Sequence, residues 1–173
     1  MPVHAFIRRV RRSNQQQAFY HFTDIRNLDS IRRNGLLSHA ELIRRGIDHV
    51  PGGNDLSHEL DARHGTDDHV HLCFRPKHGM RDQIVNEGRI ATSCWLRIDP
   101  AIVLLPNISV TLDNAAMNGI EPLPLIEALP LLDQQILYDY ADWHDPVMQQ
   151  RLTAAERCEL LIPNHVPPPY IIP

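Results

Sequence analysis

The sequence predicts an α+β domain, and three observations carry that prediction. Segments with strand character and segments with helical periodicity are intermixed, without the strand–helix–strand rhythm of a doubly wound parallel sheet. The 173 residues suit one domain and are too few for two, so residues 1–173 are read as a single unit. Hydrophobic residues make up 43% and aromatics only 6%, so the core of this globular chain is mainly aliphatic.

The elements follow in order. Ala18 to Phe22 reads as a short strand, and Thr23 or Asp24 can cap the helix that carries Ile25, Leu28 and Ile31 on one face. Gly35 is placed to stop that helix. Ser38 with Glu41 forms a capping box for a short helix ending near Gly46. The polar, glycine-bearing stretch from Asp48 to Asp68 is long enough to be a functional loop. Val70 to Phe74 is a strand, and Arg81 to Glu87 a helix closed by Gly88. Ile90 to Ile98 and Ile102 to Leu105 read as strands, with Val110 to Leu112 a third. Leu123 to Trp143 is a helical region interrupted by prolines, and Val147 to Glu156 a helix. Cys158 to Ile162 is a buried strand bounded by Pro163, and Pro163 to Pro173 an extended tail.

Composition excludes several classes. Cys73, Cys94 and Cys158 are odd in number and far apart, which speaks against a disulfide framework and a zinc ribbon. No apolar run reaches the length of a membrane helix, and no apolar stretch follows the charges of residues 1–12, so a soluble, cytoplasmic protein is expected. The net charge of −4 conceals a gradient: nine arginines face three carboxylates in residues 1–45, whereas two arginines face ten carboxylates from Ile98 onward. Arginine's planar fork suits phosphate, so the N-terminal third could meet a dinucleotide or a nucleic acid.

Few residues carry chemistry by themselves. His69, His71 and Cys73 alternate on one strand face, a spacing that could serve zinc, but no H-E-x-x-H-type motif accompanies them and no metal is expected. The same strand supports an alternative, a histidine-based ribonuclease or a nucleic-acid-binding module using His69, His71 and Arg75. Glu159 is a carboxylate inside an otherwise apolar strand, which is costly unless the acid works, pairs with a cation or lies on an edge strand facing solvent. His21 and Thr23 lie two residues apart and share a strand face, where they could grip a ribose or a carboxamide. Arg63 closes the 48–68 stretch on what reads as a helical turn.

Taken together, these segments resemble one family. Tyr20-His21-Phe22-Thr23-Asp24-Ile25, with Asn27-Leu28, Ile31 and Gly35-Leu36-Leu37, is similar to the opening motif of the DarT toxins, NAD-dependent ADP-ribosyltransferases that modify DNA bases. His69 to Pro76, Met80, Thr111 to Ala116, Arg157 to Ile162 and Pro167 to Ile171 continue the likeness in order, across about residues 18–171. The resemblance implies an ADP-ribosyltransferase fold, a split mixed β-sheet with peripheral helices and NAD between its halves. It implies that His21, Phe22 and Thr23 hold the nicotinamide ribose and carboxamide, with Ser30 and Ser38 as further NAD contacts. Arg63 would contact NAD and take part in catalysis, and Glu159 would be the catalytic acid. The implied acceptor is a base in single-stranded DNA, with RNA, protein or a small molecule as alternatives. The implied partner is an antitoxin with macrodomain-type ADP-ribosyl hydrolase activity, and the nucleic-acid backbone would cross Arg8, Arg9, Arg11 and Arg12, away from the acidic C-terminal third. Two departures stand out. His71, Leu72 and Cys73 replace an aromatic-rich strand, leaving Phe74 as its aromatic, and Asn114-Ala115 stands where the family commonly has glycine and histidine.

Overall fold

A computed structural model of the chain describes residues 2–51, 63, 65–77, 81, 85–88, 92–139 and 141–172. It opens on an element that the sequence reading did not assign, helix α1 (Pro2–Arg12). Phe6, Ile7 and Val10 fall on one helical face and are buried, while the arginines stay on the other. Phe6 stacks on Phe19 at 6.0 Å and meets the edge of Tyr138 at 6.0 Å, which ties α1 into the main core.

Strand β1 (Phe19–Asp24) leads into a 3₁₀ turn, Ile25–Asn27, and helix α2 (Leu28–Asn34). Asp24 caps the turn by accepting from the Arg26 amide, as anticipated for that position. Gly35 ends α2 at φ 80°, and strand β2 (Leu36–Leu37) follows. Ser38 caps helix α3 (His39–Arg45) by accepting from the Glu41 amide at 3.2 Å. The reciprocal half of the capping box is diverted, because the Glu41 carboxylate is taken by Arg44 (2.7 and 2.8 Å) and Arg45 (2.7 Å). Hydrogen bonding to Arg44, foremost, and to Arg45 holds the Glu41 carboxyl at about 2 against an ordinary 4.5. A carboxylate with a lowered folded-state pKa stabilises fully above its unfolded value and loses that contribution as pH falls through the folded one. The wild-type advantage over Glu41→Gln in urea unfolding is therefore expected to be constant above about pH 5 and to shrink from pH 4.5 towards 2. An advantage that persists unchanged at pH 2 would contradict the pairing.

The remaining strands are β3 (His69–Cys73), β4 (Ser93–Ile98), β5 (Ser109–Thr111), β6 (Leu123–Pro124), β7 (Glu159–Pro163), β8 (His165–Val166) and β9 (Ile171–Ile172). Among the described residues they form a seven-stranded sheet in the order β6-β5-β7-β3-β1-β4-β9 and a two-stranded ribbon, β2-β8. The α+β architecture agrees with expectation, but every described pairing is antiparallel, where the resemblance implied mixed strand directions. The ladder is long between β1 and β4, from Phe19 opposite Ile98 to Asp24 opposite Ser93, and between β3 and β7. Between β1 and β3 a single described register pair remains, Tyr20 opposite Cys73. The sheet is split there. Val70, Leu72, Phe74, Leu160 and Ile162 face the main core, and Tyr20 and Cys73 belong to a smaller cluster with Ala18.

Several expectations are corrected. Ile102 to Leu105 is not a strand: Pro100–Leu104 is a 3₁₀ turn, started by Pro100 and by Asp99, whose side chain accepts from the Ala101 amide at 2.7 Å. Leu123 to Trp143 breaks into β6, α4 (Leu125–Ala128) and α5 (Gln134–Tyr138), with Asp133 capping the second helix. Helix α6 (Pro146–Ala155) matches the expected Val147–Glu156 closely. The C-terminal segment is no loose tail, since β8 pairs with β2 and β9 with β4. Arg81, Val85 and Asn86 of the expected helix at 81–87 are helical, while residues 82–84 and the start of the strand at 90–98 lie outside the described residues, as do Met80 and most of 48–68. The charge gradient is partly paired off internally: Arg9 meets Asp139 at 2.5 Å and Arg11 meets Asp99 at 2.7 Å. Part of the acidic C-terminal third thus lies against α1 rather than away from it.

Candidate active site

The split between β1 and β3 opens a cleft of about 220 Å³. His21, Phe22 and Thr23 line it from β1, and His69 to Cys73 line it from β3. Glu159 of β7, Asn27, Ser30 and Ser38 join them, with Asn114 and Ala116 from the turn after β5. Where a ladder bond would close the sheet, a side chain substitutes: His21 Nδ1 donates to the His71 carbonyl oxygen at 2.9 Å. A carbonyl only accepts, so this bond sets the His21 tautomer with its proton on Nδ1.

Glu159 is the first residue of β7, an interior strand between β5 and β3, and is 5% exposed. The solvent-facing edge-strand reading of this residue is therefore wrong. Its Oε2 lies 2.6 Å from His71 Nδ1, so the buried carboxylate meets a cationic or proton-sharing partner as its desolvation demands. Cys73 stands opposite Glu159 in the register, and burial, followed by the nearby Glu159 charge, pushes its thiol pKa upward. That thiol is a neutral wall of the site.

Asn27 is a residue whose role the sequence reading missed. Its amide donates to Thr23 Oγ1 (3.1 Å) and to the Val50 carbonyl (2.9 Å), and its carbonyl accepts from the Val50 amide (2.8 Å). It thereby pins the start of the 48–68 stretch to the end of β1. The only sequence signal for it was its place in the opening motif. His39 and His49, 5.9 Å apart edge to face, also line the cleft. Burial and then His49 lower the His39 pKa, with Asp67 opposing.

Other expected residues are placed as follows. Ser38 lines the cleft but spends its hydroxyl on capping α3. Ser30 Oγ accepts from Asn34 Nδ2 at 3.1 Å. Arg63 lies on a helical turn, is exposed, and is not among the described residues lining the cleft. Phe74 cannot serve as an aromatic platform, because it is 1% exposed and packed edge-on to Phe19 at 5.8 Å in the core. Among the described residues lining the cleft, the aromatic hydrocarbon ring is that of Phe22, which stacks on His21 at 6.1 Å and meets Trp95 at 5.8 Å. The ribonuclease constellation is not assembled, since Arg75 turns to Glu156 (3.3 Å), Gln15 (3.1 Å) and the face of Trp143 (5.4 Å). Among the described residues no three of His, Cys, Asp and Glu are grouped to hold a metal ion, and no helix is long and apolar enough to cross a membrane.

A family model described as "ssDNA thymidine ADP-ribosyltransferase, DarT" matches residues 20–172. The chain belongs to the DarT family. Solved DarT structures share the fold. Thermosipho africanus DarTG in complex with ADP-ribose superposes with a TM-score of 0.64 at 23% identity, covering 89% of this chain and 42% of that one. Thermus sp. 2.9 DarT in complex with ADP-ribosylated ssDNA gives 0.60 at 20% identity, covering 88% and 78%. The same Thermus protein in complex with NAD+ gives 0.56 at 18%, with the same coverage. This chain thus spans less than half of the Thermosipho chain. No curated protein sequence matches it. The DarT match begins at Tyr20, the strand that forms one wall of the cleft, and runs past Glu159 to the last strand.

Proposed function

We propose that this chain transfers ADP-ribose from NAD to a base of single-stranded DNA, thymine by the family's description, and acts as a toxin or phage-defence effector in the cytoplasm. The observation that carries the reading is a buried carboxylate, Glu159, lining a cleft at the split of a DarT-type sheet. In the transfer, the bond from the ribose anomeric carbon to nicotinamide breaks and its electron pair leaves with neutral nicotinamide. Positive charge builds on that carbon, as in glycoside cleavage. Glu159 stabilises the charge, orients the ribose hydroxyls and accepts the proton that the acceptor nitrogen loses as its lone pair forms the new bond.

His21, Phe22 and Thr23 hold the nicotinamide riboside end, Phe22 as the flat apolar surface, with the cleft-lining Ser30 and Ser38 as further NAD contacts. Arg63, three residues before the cleft-lining Thr66, reaches the pyrophosphate and positions the dinucleotide electrostatically; its pKa range makes arginine a poor literal base. Residues 1–173 act as one unit, a reading supported by α1, which precedes the matched region yet packs into the same core. An unpaired base is required because pairing hides ring nitrogens. The antitoxin partner is of the macrodomain, ADP-ribosyl-hydrolysing type.

Defined single-stranded DNA and RNA oligonucleotides incubated with and without NAD test this by mass. A gain of one ADP-ribose on DNA supports the proposal, and modified RNA alone overturns the choice of acceptor. Asn27→Ala leaves the Val50 amide and carbonyl without partners, worth about 1–3 kcal/mol. The expected result is a rise of roughly tenfold in the KM for NAD with a smaller change in kcat. An unchanged KM would show that the Val50 anchor does not shape the cleft.

A further inference from the structure

His71 stands on β3 opposite Leu161, one diagonal step from Glu159, and lines the cleft. Its two ring nitrogens both face oxygens: Nδ1 is 2.6 Å from Glu159 Oε2, and Nε2 is 3.2 Å from the Thr66 carbonyl oxygen. The Thr66 carbonyl also accepts from the His69 amide at 3.0 Å, and Thr66 is 1% exposed, so that oxygen is held in place facing the ring. An imidazole satisfies two acceptors by carrying a proton on each nitrogen. A neutral ring would set a bare lone pair against one of the oxygens. A protonated Glu159 would also fit the distances, but it would remove the negative charge that the ribosyl cation needs.

We propose that His71 is the positioning residue of Glu159, an imidazolium that holds Oε2 by a charge-assisted hydrogen bond while braced on Thr66. The inference rests on the assignment of Glu159 above. Its surroundings agree with it. His21 fixes the backbone of His71 by donating to its carbonyl, and Cys73 is kept as a neutral thiol. His69 Nδ1 is 2.5 Å from Asp68, which gives that carboxylate its own partner. The pairing also couples two parts of the cleft. The turn at Thr66 follows the stretch carrying Arg63, and Asp67 is tied to α3 through the Ala40 amide at 3.1 Å. The orientation of Glu159 is thus referred to the end of that stretch through one ring.

The test compares wild type, His71→Asn, His71→Phe and Glu159→Gln by NAD-dependent oligonucleotide modification, thermal melts and ¹⁵N NMR of the histidines. Asparagine puts an amide donor near the place of Nδ1, whereas phenylalanine fills the ring's volume without a donor. The expected result for His71→Phe is a fall in kcat of about 10- to 100-fold with the KM for NAD within roughly threefold. His71→Asn recovers a large part of that loss. In wild type near neutral pH, the signals that His71→Asn removes show both nitrogens protonated. A His71→Phe enzyme with wild-type kcat, an asparagine variant no better than phenylalanine, or a bare His71 nitrogen overturns the proposal. Should Glu159→Gln stay active, the catalytic assignment of Glu159 fails, while the NMR spectrum still reads the ion pair by itself. If His71→Phe does not fold, the asparagine variant and the spectrum decide.

Discussion

Glu159→Gln is expected to lower ADP-ribose transfer by about 10³-fold while leaving NAD binding within a few-fold of wild type. On the proposed mechanism, the substitution keeps the shape of the side chain and removes the charge that the anomeric carbon calls for when nicotinamide departs. It also removes the group that receives the acceptor's proton. Both losses fall on the transition state, so they belong in kcat and not in the affinity for NAD. The amide oxygen still accepts from His71 Nδ1, but the imidazolium loses its anionic partner, so a lowered melting temperature is expected beside the fall in kcat. Single-turnover kinetics on a thymine-containing oligonucleotide, with NAD affinity measured separately, check this. A variant within tenfold of wild type would remove Glu159 from the chemistry.

The largest effect on stability is expected at Gly35. An added Cβ there would lie 2.4 Å from the Val166 carbonyl oxygen and 3.2 Å from Pro168 Cδ, at φ +80°. The oxygen is backbone, in the strand that pairs Val166 with Leu36, so it cannot yield without opening the β2–β8 ribbon. Strain of about 1–3 kcal/mol, in a positive-φ, extended-ψ conformation that is essentially restricted to glycine, and overpacking of about 1–3 kcal/mol act together. For Gly35→Ala the melting temperature should fall by roughly 5–15 °C. Gly46 supplies the control, since it has φ +61° with nothing within 4 Å of an added Cβ. Gly46→Ala should show only the milder strain of a left-handed helical cap, φ 61° and ψ 36°, and a much smaller shift. Equal melting of the two variants would mean that the contact with Val166 is relieved without cost.

What could be read in advance was local. Ser38 and Asp24 announce helical starts because a short oxygen-bearing side chain beside an apolar period has few other uses, and both cap as expected. The three strands that build the cleft were visible as short runs rich in branched and aromatic residues. Glu159 drew attention as a charge in an apolar run, and the structure buries it. The 3₁₀ turn at 100–104 was hidden because Ile102 and Val103 have strand propensity, while Asp99 and Pro100 had the final word. Helix α1 carried its pattern openly in Phe6, Ile7 and Val10, but that stretch was weighed as a targeting signal and as a basic nucleic-acid surface, not as a helix. The remainder was not local at all. That His71 meets Glu159, that Asn27 holds Val50, and that Phe22 rather than Phe74 faces the cleft all depend on register between strands distant in sequence.

The single rung joining β1 to β3 gives the substrate a second part to play. Between β1 and β4 and between β3 and β7 the strands are stitched by long runs of backbone bonds, whereas the described links at this seam are Tyr20 opposite Cys73 and the ring of His21. On the proposed function, a dinucleotide bound there touches both halves and replaces, for as long as it stays, the stitches that the seam lacks. Loading and stiffening are then one event, and NAD at a hundred times its dissociation constant would add about 2.7 kcal/mol to the stability of the fold. Acting as the proposed toxin, the chain would be sturdiest when loaded with NAD and most open to cellular proteases when starved of it.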